Sequence, residues 1–339
     1  MHDSTNKTEN CGISTVSVII PVYNEEKYIE KCLDCVLAQD YDRSCLEVLF
    51  VNGNSLDRTV GIIEKYIKKY PFIKVLTNPR RTVQFGLNAG IHEAKGEYIV
   101  RMDAHAEYAA DFITKCIETI KKTGAANVGG PVIALGVTPK QKAVAAAYHS
   151  VFALGGGKHH DMEYEGYTDT VWCGAFLKST LQQAGLYDER FTINEDDELT
   201  MRLVSSGKKI YITPEIKSYY YPRGSYFALF RQYLRYGIWK VLVIKKHKKP
   251  ARLSHLVPVS FVLFILIFGA VSFFSGPVAI GYAAVLSLYL ILNVVFSLKN
   301  KHIKGCFGRI RLIYIHFLLH ISYGIGFLIG FFKFFRIKI

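Results

Sequence analysis

Val16-Ser17-Val18-Ile19-Ile20-Pro21-Val22, with the Tyr23-Asn24-Glu25-Glu26 that follows it, decides how this chain folds. The first seven residues are rich in β-branched side chains, short, and apolar, which suits a buried strand. Asn24-Glu25-Glu26 then opens a helical spacing through Tyr28, Ile29, Leu33 and Val36. A strand that feeds directly into a helix is the unit of a parallel sheet, because parallel strands need a crossover between them.

The unit repeats outward from there. Residues 47–51 form a second apolar strand, ended by Asn52-Gly53-Asn54-Ser55 and followed by a helix from Asp57 toward Tyr70. Residues 73–76 make a third strand and residues 84–94 another helix. Tyr98-Ile99-Val100-Arg101-Met102 is the next strand, with Asp103-Ala104-His105 at its carboxyl end. The alternation predicts an α/β fold with a mainly parallel, doubly wound sheet. Ligands bind such sheets beyond the carboxyl ends of the strands, where Asn24, Asn52 and Asp103 fall.

The chain has 339 residues, more than one average domain, and its apolar content is unevenly spread. Residues 255–274 contain no Asp, Glu, Lys or Arg, and a bilayer core takes about 20 apolar residues as helix. A second run, 278–298, follows Ser275-Gly276-Pro277, too short a link for anything but a hairpin across a membrane. A third run, 312–332, carries His316, His320, Gly324, Gly326 and Gly330. These residues fit a helix packed closely on the other two, or a segment that enters without crossing, and spanning is the preferred reading.

A formal charge of +14 would suit a nucleic-acid partner, but much of the excess flanks the apolar runs, at Lys245-Lys246-His247-Lys248-Lys249 and across 299–311. Such clusters mark cytoplasmic flanks. No basic patch with interleaved aromatics appears in the globular part, so no nucleic acid is expected. Residues 1–14 are polar and lack the charged-then-apolar order of a cleaved leader, and seven scattered cysteines agree with a reducing compartment. The expectation is a multi-pass protein of the inner (plasma) membrane with a cytoplasmic globular domain. Phe227, Phe230, Tyr233, Leu234 and Tyr236 alternate with Arg231, Gln232, Arg235 and Lys240, as in a helix lying in the membrane interface. The organisation expected is a polar tail (1–14), an α/β domain (15–224), an interfacial helix with a basic linker (225–252) and a membrane region (253–339).

Several stretches carry chemistry. An acid at a strand end, as in Asp103-Ala104-His105, can hold a divalent cation against a diphosphate, though taken alone the stretch reads first as a turn in which Asp103 caps the next helix. Asn194-Glu195-Asp196-Asp197-Glu198 offers a carboxylate base, and equally reads as a solvated acidic first turn behind an Asn cap. Gly155-Gly156-Gly157-Lys158-His159-His160 has too few ordering side chains for regular structure and suits a mobile lid. It lacks the Lys-Ser/Thr ending of a phosphate-binding loop, against an ATPase.

Four motifs occur in order: Pro21-Val22-Tyr23-Asn24-Glu25-Glu26, Asn52-Gly53-Asn54-Ser55-Leu56-Asp57, Arg101-Met102-Asp103-Ala104-His105 and Asn194-Glu195-Asp196-Asp197-Glu198-Leu199. Together they resemble the family 2 inverting glycosyltransferases with the GT-A fold, most closely the succinoglycan-type bacterial glucosyltransferases that act on lipid-linked oligosaccharide. The resemblance implies transfer of a hexose, favouring UDP-glucose as donor, onto a polyprenyl-diphosphate-linked saccharide in exopolysaccharide biosynthesis. A divalent metal, Mn2+ or Mg2+, is implied with it, held by Asp103 and His105.

By the same resemblance Asp196 is the catalytic base, with Glu195 beside it. Pro21, Tyr23, Asn24, Glu25, Asn52, Asp57, Asp103 and Arg235 would contact the nucleotide sugar. Trp172, Gly174 and Gln232 would face the acceptor, although Trp172 reads equally as core. Gln232-Tyr233-Leu234-Arg235-Tyr236 is similar to the Gln-x-x-Arg-aromatic motif of processive members, whose Arg helps hold the departing diphosphate; snorkelling of Arg235 to lipid phosphate is the other reading. Two departures stand out: Asn52 and His105 occupy positions where many relatives have Asp. Imidazole suits Mn2+ better than Mg2+. A processive polysaccharide synthase and a non-catalytic nucleotide-sugar-binding assembly factor are the alternatives.

Overall fold

The structure is a computed structural model that describes residues 14–337. Apart from Ser14, the polar tail expected at 1–14 lies outside the described residues. Eleven strands run in chain order: β1 (Val16–Val22), β2 (Leu46–Asn52), β3 (Ile73–Thr77), β4 (Tyr98–Arg101), β5 (Ala106–Tyr108), β6 (Asn127–Gly129), β7 (Val132–Ala134), β8 (Gly166–Thr168), β9 (Gly174–Leu177), β10 (Ile210–Ile212) and β11 (Ser218–Tyr220). Eight form one sheet in the order β3-β2-β1-β4-β9-β6-β10-β8, and β5-β11-β7 form a second. Only β9 and β8 oppose the other six strands of the large sheet. The mainly parallel sheet is therefore as expected.

β1 is central, and its period of two feeds two cores. Val16, Val18, Ile20 and Val22 pack with the helices Ile29–Leu37 and Phe112–Thr123 on one face. Ile19 packs on the other with Leu87 and Ile91 of the helix Val83–Glu93, and with Leu199 and Leu203 of the acidic helix Glu195–Ser205. Those two leucines lay the acidic helix on the sheet and leave its N-terminal acids near the strand ends.

Three helical stretches, Leu253–Val271, Gly276–Lys299 and Cys306–Phe334, are long and apolar enough to cross a membrane. The first two leave nearly all of their apolar surface uncovered, whereas half of the third is buried. The cause is the aromatic helix Tyr226–His247, which lies beside the third along its length. A Cβ on Gly326 would stand 2.1 Å from the Leu234 carbonyl, one on Gly330 2.4 Å from that of Ile238, and one on Gly237 2.2 Å from that of Tyr323. Only glycine admits backbones so near. Most of the glycine pattern noticed in the sequence thus serves the aromatic helix, while Gly324 meets the Pro258 carbonyl.

Cys32, Cys35, Cys116, Cys173 and Cys306 are free thiols, but Cys45 is disulfide-bonded. Cysteine usage therefore does not by itself assign a reducing compartment.

Candidate active site

Register places the carboxyl ends of β1, β2 and β4 side by side, with Val22 opposite Asn52 and Ile19 opposite Arg101. The first two loops are clipped together there. Asn24, at φ +54, accepts the Leu56 N–H at 2.8 Å, while its own N–H donates to Ser55 Oγ at 3.0 Å. Asp57 accepts the Glu26 N–H at 3.0 Å, the Thr59 N–H at 3.0 Å and the Thr59 hydroxyl at 2.6 Å. Burial alone would raise the Asp57 pKa, but these donors hold it below the usual range. Asn52 accepts the Ser55 N–H at 2.9 Å and closes its own turn.

The third loop joins them through His105, whose Nδ1 lies 3.4 Å from Glu25. That hydrogen bond first, and Asp103 after it, raise the His105 pKa against burial. Asp103 is itself held ionised: burial opposes it, but Arg101 and His105 outweigh burial and lower its pKa. Its backbone N–H donates to the Tyr108 hydroxyl at 2.7 Å, and since strand β5 follows and Asp111 stands at the N-cap of the next helix, Asp103 caps no helix.

The acidic helix reaches the same place. Asn194 makes no side-chain cap; at φ +61 it sends Nδ2 to the Tyr236 carbonyl at 3.2 Å and so pins the helix to the aromatic one. Nor are the acids a solvated turn, since Glu195 and Glu198 are buried. Glu195 lies 3.2 Å from Arg101, Asp197 pairs with Lys240, and Glu198 pairs with Arg202 at 2.8 Å and Lys246 at 2.6 Å. Asp196 alone of the four has no ion-pair partner among the described residues. It accepts only the Asp197 N–H, at 2.8 Å. Burial first, then the charge of Asp197, raises its pKa.

A cavity of about 760 Å³ joins the third loop to the acidic helix. Asp103, His105, Glu195, Asp196, Trp172 and Gln232 all line it, joined by Arg101, Arg223, Tyr236 and Lys240. It continues into the apolar helices, where Pro258, Phe261, Tyr289, Phe296 and Leu319 form its wall. One space thus runs from carboxylates to membrane-type helices.

Residues 17–179 match the family described as Glycosyl transferase family 2. A glucuronosyltransferase of Methanococcus voltae, named for dolichyl N-acetyl-alpha-D-glucosaminyl phosphate, is 35% identical over 240 residues, 68% of this chain and 74% of that protein. The succinoglycan biosynthesis protein ExoA of Rhizobium meliloti (strain 1021) is 30% identical over 245 residues, 72% of this chain and 74% of that protein. The chain belongs to glycosyl transferase family 2. Its fold is that of the mannosyltransferase PcManGT from Pyrobaculum calidifontis, solved with GDP-Man and Mn2+, at a TM-score of 0.65 and 20% identity over 93% of this chain and 87% of that one. The GT-A architecture expected from the motifs is present in this family 2 glycosyltransferase.

Pro21, Tyr23, Asn24, Glu25, Asn52, Asp57, Gly174 and Arg235 of this transferase do not line the cavity. Pro21 pairs within β1, and Tyr23 is 43% exposed. Gly174 lies behind the wall, where a Cβ would come 2.2 Å from the Val128 carbonyl, so its glycine is explained by sheet packing. Arg235 is exposed and does not line the cavity. The buried stripe of its helix runs through Leu229, Tyr233, Gly237 and Lys240, and Arg235 sits two residues off that stripe. Gln232, on the cavity side, donates to the Tyr236 hydroxyl at 2.9 Å. Trp172 is half-buried and meets Tyr220 edge-on, with ring centroids 5.7 Å apart. The glycine run is built into the wall: Gly155 ends the short helix Val151–Leu154, and His159 faces Arg252 at 3.3 Å.

Arg101 and Lys240 were not singled out from the sequence as site residues of this glycosyltransferase. Arg101 carried a signal, being the one charge in an otherwise apolar strand. Lys240 carried none, because its partner is 43 residues away.

Proposed function

We propose that this glycosyltransferase is an inverting, metal-dependent enzyme that moves one hexose, glucose from UDP-glucose by resemblance, onto a lipid-linked saccharide at the cytoplasmic face of the inner membrane. One observation carries the reading: a single cavity is lined both by Asp103 and Asp196 and by the helices long and apolar enough to cross a membrane. A saccharide tethered to a membrane lipid needs both. The relative from Methanococcus voltae, named for a dolichyl-linked sugar phosphate, supports the acceptor class, and ExoA supports exopolysaccharide assembly. The Lys clusters at the flanks of the apolar helices support the cytoplasmic side.

An acceptor hydroxyl is a weak nucleophile, so a base must take its proton as the new bond forms. Asp196 suits that role, because its charge is not neutralised by an ion pair and its burial strengthens it as a base. Glu195 and Asp197 are engaged by Arg101 and Lys240 and hold Asp196 between them. One free carboxylate is enough for a single displacement, in which an α-linked donor gives a β-linkage and the diphosphate leaves opposite the incoming oxygen.

Asp103, an ionised carboxylate with His105 beside it, fits a divalent cation as two protein ligands. Among the described residues no group of three or more His, Cys, Asp or Glu is placed to hold one alone, so the donor's oxygens must complete the set. When bound, the cation offsets the charge that grows on the departing diphosphate. His105 must release both its proton and Glu25 to serve as a ligand. The processive alternative joined Gln232 with Arg235, and only Gln232 faces the cavity.

Membranes holding the full chain, supplied with Mn2+ or Mg2+ and a panel of radiolabelled nucleotide sugars, test the reading through lipid-extractable product. One added sugar per lipid is expected. A long polymer would instead support a synthase, and silence with every donor and metal would leave only the assembly-factor reading.

A further inference from the structure

The cavity does not end at the acids. Near Asp197 its wall carries nitrogen and hydroxyl groups, a polar neck next in sequence to the apolar residues Leu253, Leu256 and Val257. Arg252 crosses this neck and pairs with Asp169 through Nε at 2.6 Å and Nη2 at 2.8 Å. Its Nη1 has no acceptor among the described residues and lies over Gly157, where a Cβ would come within 2.4 Å of it. His160 Nδ1, Ser254 Oγ and His255 Nδ1 are buried without partners, and all three residues line the same wall.

A buried polar atom that finds no partner loses its hydration without compensation, and native folds seldom gather several such atoms in one place. Every one of these groups can donate a hydrogen bond. Burial first, and Arg252 second, lower His159 to about 4, so the neighbouring imidazole is neutral. An acceptor-rich group with several oxygens, as a phosphate has, would satisfy all of these donors at once.

Past the neck the walls change character. Val257 and Phe261 belong both to the main cavity and to an adjoining pocket of about 480 Å³ bounded by Leu253, Leu256, Phe264 and Val285. That pocket lies between the two most exposed apolar helices. A free phosphate has no use for such a throat; a phosphate carried on a long hydrocarbon does.

We infer that the Arg252–His255 neck holds the phosphate of a polyprenyl lipid, whose chain leaves between the helices Leu253–Val271 and Gly276–Lys299. This rests on the lipid-linked acceptor reading and adds to it the residues that recognise the lipid itself. No bond is made or broken at the neck. It fixes the acceptor's depth, so that the far end of the saccharide meets Asp196.

The test is binding of radiolabelled polyprenyl phosphate to the full chain in nanodiscs, competed by polyprenol, phosphatidic acid, inorganic phosphate and unlabelled ligand. Only the unlabelled ligand should compete well, the others being weaker by about tenfold or more. Arg252→Gln should weaken binding about tenfold. His255→Ala should do the same with no loss of fold, because its Nδ1 has no protein partner. Phe261→Trp should weaken the long-chain lipid and spare farnesyl phosphate. Equal competition by polyprenol would show that phosphate is not read, by phosphatidic acid that the isoprenoid is not, and by inorganic phosphate that no lipid is needed; each overturns the inference. So does wild-type binding by the folded variants. Sugar transfer is measured alongside: transfer with lipid binding unmoved in the variants removes the neck alone, while lipid binding without any transfer removes only the enzymatic reading.

Discussion

Arg101 Nη1 lies 3.2 Å from Glu195, while Nε of the same guanidinium lies 3.3 Å from Asp103, so one side chain joins strand β4 to the acidic helix. Both contacts are largely withdrawn from solvent, with 10–16% of each side chain exposed. Removing one partner of a buried ion pair leaves the other charge uncompensated, at about 3–5 kcal/mol. Arg101→Ala should therefore lower the denaturation midpoint sharply. Pairing it with Glu195→Ala should recover part of the loss. A midpoint that stays at the wild-type value would show that the bridge does not hold the site.

Asp196 and Asp197 are adjacent but differently engaged, and their variants should differ in kind. Asp196→Asn removes the free carboxylate and should cut the transfer rate by about 10²–10⁴-fold, leaving donor binding near wild type. Asp197→Asn instead leaves Lys240 buried without its partner, so the main loss should be in stability. Single-turnover rates, read beside thermal unfolding in detergent, separate the two. Equal rate losses with equal midpoints would remove Asp196 from its role.

The site should also write itself into the pH profile. Burial first, then the charge of Asp196, raises Glu195 to about 7 against the pull of Arg101, and Asp196 is raised as well. The base must be ionised to accept a proton, so transfer is lost as pH falls through the raised pKa of Asp196 and recovers above it. Glu195→Gln removes a negative charge beside Asp196 and frees Arg101 to act on it. Both changes ease ionisation of Asp196, so the acid limb should move to lower pH. A limb that stayed fixed or moved upward in this variant would dissociate Glu195 from the base.

Much of this was legible from residue order alone. The strands β1 to β4 follow from short β-rich runs ended by polar turns, and those local signals also located Asp103, His105 and Glu195 to Asp196. Glycines were harder to read. Gly174 was read as facing the acceptor and the run at Gly155 to Gly157 as a mobile lid, while the Cβ positions of Gly174, Gly155 and Gly157 meet the Val128 carbonyl, Ser254 and Arg252. What excludes a side chain at those points is a partner distant in sequence, which periodicity does not reveal. The same holds for Arg235: a motif of five residues fixed its type, while the buried stripe through Tyr233 and Gly237 fixed which way it faces.

Lys245 decides how the third apolar helix sits. Its Nζ donates to the carbonyls of Phe334 and Phe335, at 2.8 and 2.9 Å, and so caps the end of Cys306–Phe334. Lys245 comes eight residues before Leu253, where the first candidate span begins, so the end of the third helix shares the face on which that span starts. The second candidate span runs back from the hairpin and ends at Lys299 on that same face, and Cys306 follows it closely. With the first two candidate spans crossing as a hairpin, both ends of the third helix fall on one side, and the prediction is that it lies in the interface instead of crossing. Its buried half, packed on the aromatic helix through Gly326 and Gly330, is what such a helix needs. Single cysteines at Lys304 and Arg336, in a background without the other free thiols, should react with a membrane-impermeant maleimide from the same side as one at Lys249. One at Phe274, in the hairpin tip, should react from the other. Labelling of Arg336 together with Phe274 would mean that the helix crosses.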